Sequence, residues 1–135
     1  MLLRTNKGEK LFFKIEGNTQ NEDNWLKVSI NAQLNAIQWK ASDKCLRLKE
    51  VKDLIAWFNA IANKELEIIP ALSFLESELE FVLKSNPADS IRHIQMVLDH
   101  RLLPKNRLEA LSINLTVGDK ELKRIIEGLK AQIAL

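Results

Sequence analysis

Apolar and polar residues alternate with a period of two along much of the chain, a pattern typical of strands that bury one face. The longest run starts at Trp25, where Leu26 and Val28 begin an alternation that continues to Leu34. Similar alternation covers residues 11–16, 37–41, 72–83, 94–99 and 111–117. The pattern therefore predicts six strands, with a hairpin turn at Leu34–Asn35 between the second and the third.

Two stretches repeat their apolar residues every three or four positions instead, which predicts amphipathic helices. The first runs from about Leu46 to Ala62, with Asp43 as a candidate N-cap or turn residue. The second begins at Gly118–Asp119, where Asp119 is predicted to cap the helix. The predicted order is three strands, a helix, three strands and a helix.

This order predicts an α+β fold built on one largely antiparallel sheet of about six strands. Because each predicted strand has only one apolar face, both helices are expected to pack on the same face of the sheet. The opposite face is then left for solvent or a partner. A length of 135 residues fits one domain, so we expect residues 1–135 to form a single α+β domain.

Charge and composition argue against several classes of protein. The 20 basic and 18 acidic residues nearly cancel, at a net charge of +2, which gives no reason to expect direct nucleic-acid binding. No apolar run approaches the roughly 18 residues that span a bilayer, and the first residues lack the pattern of a signal peptide. The single cysteine, Cys45, cannot form an internal disulfide and suits a reducing compartment. We therefore expect a cytoplasmic protein that does not bind a membrane.

The sequence contains no recognisable catalytic or metal-binding motif. His93 and His100 do not form a zinc-binding pair, and the four glycines match no phosphate-binding loop. Cys45 beside a histidine could form a reactive thiolate, but a lone cysteine at a strand–helix junction is more often a small buried residue. The sequence therefore predicts no catalytic residue, cofactor or metal site. A deep pocket that brings together Cys45, His93 and a carboxylate would favour an enzyme instead.

A row of glutamates is the most regular feature among the charged residues. Glu76, Glu78 and Glu80 lie at every second position of the predicted fourth strand, which places them on one outward face. Such a row is typical of a solvated sheet surface, or of a docking surface for a basic partner that neutralises the repelling charges. Trp25, at the start of the second strand, is a candidate exposed anchor in an interface.

Three short motifs carry a family resemblance, and the junction that begins at Trp39 is the distinctive one. In chain order they are Asn24-Trp25-Leu26-Lys27-Val28, Trp39-x-Ala41-x-Asp43-x-Cys45-Leu46 and Glu50-Val51-x-x-Leu54-x-x-Trp57-Phe58. Together with the later strands and the closing helix, they resemble the WapI-type immunity family over nearly the whole chain. The resemblance implies a small cytoplasmic bacterial protein that neutralises the toxic C-terminal domain of a contact-delivered polymorphic toxin, commonly a nuclease. It also implies a stoichiometric inhibitor, because it supplies no catalytic residues.

On this interpretation the chain binds a cognate toxin domain and blocks it sterically. Acidic residues are the expected contacts, because a nuclease inhibitor often presents carboxylates to a surface that normally meets phosphate. The predicted partner-binding residues are Glu76, Glu78, Glu80, Glu22, Asp23, Asp99 and Trp25. A non-enzymatic chaperone or adaptor with the same fold is the alternative, and the sequence leaves both a monomer and a homodimer open.

Overall fold

The computed structural model describes residues 1–64 and 69–134, which form eight strands and two α-helices. The strands are β1 (Leu2–Arg4), β2 (Lys10–Glu16), β3 (Trp25–Gln33), β4 (Gln38–Arg47), β5 (Leu72–Ser73), β6 (Leu79–Leu83), β7 (Ile91–Leu98) and β8 (Leu111–Gly118). Helix α1 (Leu48–Asn63) follows β4, helix α2 (Asp119–Gln132) follows β8, and a short 3-10 helix covers His100–Leu102. Four strands and a helix therefore occur twice along the chain.

The strands form two antiparallel sheets of four, in the orders β1-β2-β3-β4 and β5-β6-β7-β8. The predicted α+β class and antiparallel pairing are confirmed, but the prediction of one sheet with about six strands is wrong. The sequence pattern misses β1 because three residues are too few to show an alternation. It also merges β5 with β6, whereas residues 74–78 leave the sheet between them. A period of two says nothing about which strands pair, so it could not separate the two sheets.

The two halves of the chain contact each other at several places and share one core. β1 lies beside β8, where the backbone N–H of Asn6 donates to the carbonyl of Asn114 at 2.9 Å. β4 lies against the 3-10 helix, where Nε1 of Trp39 donates to the carbonyl of Leu102 at 3.0 Å. Buried apolar side chains from both sheets and both helices form one continuous cluster.

Both helices bury their apolar stripe in this core, as predicted. The buried apolar residues are Leu48, Val51, Leu54, Ile55, Trp57, Phe58 and Ile61 in α1, and Leu122, Ile125, Ile126 and Leu129 in α2. The predicted caps are wrong, because Arg47 precedes α1 and Gly118 precedes α2 at the N-cap positions. Asp43 instead remains within β4. Asp119 is the first residue of α2 and forms an ion pair with Arg92.

Each sheet keeps one face away from the helices. Along β2, Leu11, Phe13 and Ile15 are buried, while the residues between them are exposed. Along β7, Ile94 and Met96 are buried in the same alternating way. The outward faces therefore remain open, as the one-sided alternation predicts. Within residues 1–64 and 69–134, no helix is both long and apolar enough to cross a membrane.

Candidate functional site

The distinctive motif Trp39-x-Ala41-x-Asp43-x-Cys45-Leu46 lies on β4. Trp39, Ala41, Asp43 and Cys45 occupy alternate positions, so their side chains share the inward face of the first sheet. The strand pairing then shifts by one residue, because Lys27 pairs with Lys44 whereas Leu26 pairs with Leu46. Cys45 is therefore an extra, bulged residue, and this bulge lets both Cys45 and Leu46 be buried.

A buried carboxyl group from the second half of the chain meets this motif. Glu78 lies in the turn between β5 and β6, and only 6% of its surface is exposed. Its side chain lies beside Asp43 and Cys45, and its Oε2 atom has no hydrogen-bond partner among the described residues. Burial, followed by the neighbouring Asp43, raises the pKa of Glu78 to about 7. Protonated Glu78 can donate to the carboxylate of Asp43 and so join this turn to β4.

The three glutamates at residues 76–80 do not form the predicted row. Glu76 is exposed in the turn, whereas Glu78 is buried in the same turn. Glu80 is on β6, where its Oε2 accepts a hydrogen bond from Oγ of Ser73 at 2.9 Å. The prediction is wrong because the break at residues 74–78 ends the alternation, so spacing in the sequence no longer decides which side chains share a face.

Cys45 is not placed as a reactive thiol. Burial, followed by the charges of Glu78 and Asp43, raises its pKa, and a protonated thiol is a poor nucleophile. His93 is exposed on β7, and Nε2 of His100 lies 3.3 Å from Oγ of Ser77. Cys45 thus meets carboxyl groups but no histidine within the described part of the chain. In the same part, no three His, Cys, Asp or Glu residues are grouped so that they could hold a metal ion.

A second buried carboxylate, Glu50, organises the start of α1. Its Oε1 accepts hydrogen bonds from the backbone N–H of Arg47 at 3.0 Å and from Nε of Arg47 at 3.1 Å. Its Oε2 accepts the backbone N–H of Leu75 at 2.8 Å. Burial opposes ionisation of Glu50, but the hydrogen bonds from Arg47 and Leu75 outweigh it and lower its pKa. One side chain therefore fixes both the helix start and the β5–β6 turn.

Trp25 lies next to this arrangement and is 37% exposed. The guanidinium carbon of Arg47 is 5.7 Å from the centre of its ring, a cation–π contact. Leu75, held by Glu50, is 68% exposed. We call the surface formed by Trp25, Arg47 and Leu75 the helix corner. It combines an aromatic, a guanidinium and an aliphatic side chain on a backbone that Glu50 holds in place.

Two of the predicted acidic contacts lie beside the helix corner, but their charges are paired. Oε1 of Glu22 is 2.6 Å from Nζ of Lys52, and Oδ1 of Asp23 is 3.0 Å from Nζ of Lys49. Both lysines belong to α1, so these ion pairs attach the loop before β3 to the helix. Asp99 lies elsewhere in the sequence and caps the 3-10 helix, with Oδ1 accepting the backbone N–H of His100 at 2.8 Å.

The outward side of β2, β3 and β4 is strongly basic. We call it the lysine face, and it carries Lys10, Lys14, Lys27, Lys40 and Lys44. Glu16 is the only acidic side chain at the outward positions of these three strands. An open depression of about 600 Å³ lies on this face, with Phe12, Lys14 and Lys40 in its lining. Trp25 continues the same outward side at the start of β3, so the lysine face runs into the helix corner.

A family model, described as "Immunity protein WapI-like family", matches residues 1–135. The chain belongs to the WapI-like immunity family. The resemblance carried by the sequence motifs is therefore confirmed over the full 135 residues. No curated protein and no solved structure matches the chain.

The predicted contact residues of this WapI-like protein are therefore spread over several environments. The structure places Glu22, Asp23 and Trp25 together at the start of α1, and it places Glu76 one residue after Leu75 of the helix corner. It does not join them with Glu78, Glu80 and Asp99 into one acidic surface.

Sequence reasoning also missed Arg47, Glu50 and the lysine face. A glutamate at this position is half of a capping-box signature, and the other half, a short polar residue at the N-cap, is replaced here by Arg47. The lysine face could have been found by assigning each charge to the inward or outward side of its strand.

Proposed function

We propose that this WapI-like protein binds the toxic C-terminal domain of a contact-delivered toxin and blocks it sterically. The observation that carries the proposal is the family match over residues 1–135. A nuclease is the class of toxin that the resemblance implies. Inhibition requires only that the bound protein covers the toxin's active site or holds its substrate away.

The helix corner supports this role because Trp25 and Arg47 are already in contact, and the backbone of Leu75 is already held, in the free protein. Trp and Arg are the residues most often found at the energetic centre of protein interfaces. Here Trp25 stacks on Arg47, and Glu50 holds Arg47 by two hydrogen bonds. A surface that is already ordered loses less conformational entropy on binding, which leaves more of the contact energy as affinity.

The proposed contact set has the helix corner at its centre and a charged rim. Glu22 and Asp23, paired with helix lysines, and Glu76, next to Leu75, form this rim. Exposed rim charges contribute mainly to the association rate, whereas the central anchor contributes to the lifetime of the complex. Trp25 is therefore the residue whose removal should cost most.

The test takes as candidate toxin the C-terminal domain of the secreted protein that we expect to be encoded directly upstream of this chain, made catalytically inactive for binding measurements. We expect wild type to form a one-to-one complex with it and to protect cells that express the active domain. Trp25→Ala should weaken the complex at least tenfold and reduce protection.

The matched control is Ile91→Ala, which removes an apolar side chain that is 53% exposed at the start of β7. It should leave both the affinity and the protection unchanged. If wild type neither binds the domain nor protects cells, the proposed function is wrong. If it binds without reducing toxin activity, the alternative of a chaperone or adaptor is favoured.

A further inference from the structure

We propose that the lysine face, continued by the helix corner, binds an acidic surface of the toxin domain. The inference rests on the proposed function, since it names the chemistry of the surface that the same partner presents. No element of the described chain covers this side of β2, β3 and β4, whose outward residues alternate with buried ones.

Basic side chains are concentrated on the lysine face. Among the described residues, five of the chain's basic side chains but only one acidic side chain, that of Glu16, lie at the outward positions of β2, β3 and β4. The rest of the chain, with 15 basic and 17 acidic residues, is slightly acidic. A net charge of +2 therefore hides a concentrated positive surface, and complementary charge on a partner speeds association with it.

The lysines of this face also repel one another in the free protein. Lys27 is directly opposite Lys44 across β3 and β4, and like charges at directly opposite positions destabilise a sheet. The carboxylate of Glu16 is 3.4 Å from Nζ of Lys14 and 4.0 Å from Nζ of Lys27. In the described ranges no salt bridge reaches Lys10, Lys40 or Lys44, so carboxylates of a partner would relieve the repulsion.

The lysine face is also continuous with the exposed aromatic side chain of Trp25. Trp25 and Lys27 point to the same side of β3, two positions apart. Phe12, 39% exposed, pairs with Asn31 on the neighbouring strand and lies in the open depression near Lys40. The two aromatic side chains therefore provide apolar contact area that is surrounded by charged residues. Protein interfaces commonly have this arrangement of an apolar core and a polar rim.

The positive charge of the lysine face also limits which surface of the toxin domain it can bind. The phosphate-binding cleft of a nuclease is expected to be basic, because it must attract a polyanion. A lysine face repels such a cleft. The inhibitor therefore does not imitate the nucleic acid. It binds an acidic surface beside the cleft and from there blocks access of the nucleic acid to the cleft.

The test compares two double variants with the same change in charge. Lys40→Glu with Lys44→Glu alters the lysine face, and Lys120→Glu with Lys123→Glu alters the exposed side of α2. Affinity and association rate for the inactive upstream toxin domain are measured at 50 and 300 mM salt. We expect the first pair to weaken binding at least tenfold, mainly through slower association and with a smaller salt dependence. The second pair should stay within about twofold of wild type.

Glu16→Gln changes the charge of the lysine face in the opposite direction. It makes this face more positive, because it removes its only carboxylate. It should speed association, and a slower rate would count against an acidic partner surface. Thermal melting of each variant separates loss of binding from loss of folding.

The outcomes distinguish this inference from the proposed function. If wild type binds the domain and the Lys40/Lys44 pair binds it equally well, the lysine face is not the contact surface, although the immunity role stands. If wild type does not bind the domain at all, both fail. A labelled 20-nucleotide single-stranded RNA that binds wild type, competes with the domain and is released by the Lys40/Lys44 pair would make nucleic acid the occupant and overturn the inference.

Discussion

Replacing Glu78 by glutamine tests the buried carboxyl cluster that joins the two halves of the chain. Glu78 is 6% exposed beside Asp43 and Cys45, and its pKa is raised to about 7. Glutamine has nearly the shape of protonated glutamate, and its amide can donate to the carboxylate of Asp43. The substitution therefore keeps the packing and one donor while it removes the ionisation.

The direction and size of the effect follow from the two pKa values. In the unfolded chain Glu78 has its ordinary pKa of 4.5, and in the folded protein about 7. The folded state binds more protons between these values, so the free energy of unfolding falls as the pH rises from about 4.5 to 7. At about 1.4 kcal/mol per pKa unit, wild type loses about 3 kcal/mol over this range. Glu78→Gln should therefore be more stable than wild type by less than about 1 kcal/mol at pH 5 and by about 3 kcal/mol at pH 8.

Urea unfolding of both proteins at pH 5, 6, 7 and 8 measures this difference. Comparing the two at each pH cancels the titrating groups that do not contact Glu78, so the difference reports the ionisation of Glu78 within its cluster with Asp43. Glu76→Gln, in the same turn but exposed, controls for a change in surface charge. A stability difference that stays constant from pH 5 to 8, or that decreases, would show that Glu78 does not take up a proton in the folded state.

Three further predictions concern other parts of the molecule. Arg92→Ala removes a buried guanidinium whose Nε donates to the carbonyl of Pro87 at 3.2 Å and which pairs with Asp119. It should destabilise the fold by about 3 kcal/mol in urea unfolding, and Asp119→Asn less, since the amide oxygen of asparagine can still accept a hydrogen bond from Arg92. Glu50→Ala leaves the N–H groups of Arg47 and Leu75 unpaired, so calorimetry should show a loss of about 2 kcal/mol together with weaker toxin binding. Glu22→Lys with Asp23→Lys should leave toxin affinity equal or higher if the partner surface is acidic. A tenfold loss in a titration would restore the prediction that acidic residues meet a basic partner.

Local features of the fold were predictable from the sequence, because they depend on neighbours in the chain. The apolar stripes of α1 and α2 follow from helical spacing. The turn between β3 and β4 lies where the alternation pauses, and there the N–H of Leu34 donates to the carbonyl of Ile37 at 3.1 Å. Features that depend on distant partners were not predictable. β1 becomes a strand by pairing with β2, and it is placed beside β8 by contacts more than 100 residues away in sequence.

The candidate site shows the same division. Glu78 has the sequence context of an outward strand residue, and only the contact with Asp43 on another sheet makes burial of its carboxyl possible. Arg47 is not one of the usual N-cap residues, so the cap at α1 had no standard signature even though Glu50 stands three residues later. The lysine face was hidden for a different reason, because charge was averaged over the chain rather than assigned to one side of the strands.

The motif Trp39-x-Ala41-x-Asp43-x-Cys45-Leu46 separates the scaffold from the candidate recognition surface. Its specified residues point inward and hold the two halves together, whereas its unspecified positions, Lys40, Ser42 and Lys44, point outward onto the lysine face. Changes at the outward positions should therefore alter partner binding without loss of folding. Lys44→Glu provides the clearest case, because it faces Lys27 across the strands and should stabilise the free protein by about 0.2–1 kcal/mol while it weakens toxin binding. If melting and binding instead fell together, the outward face would be part of the scaffold, and the separation argued from strand geometry would fail.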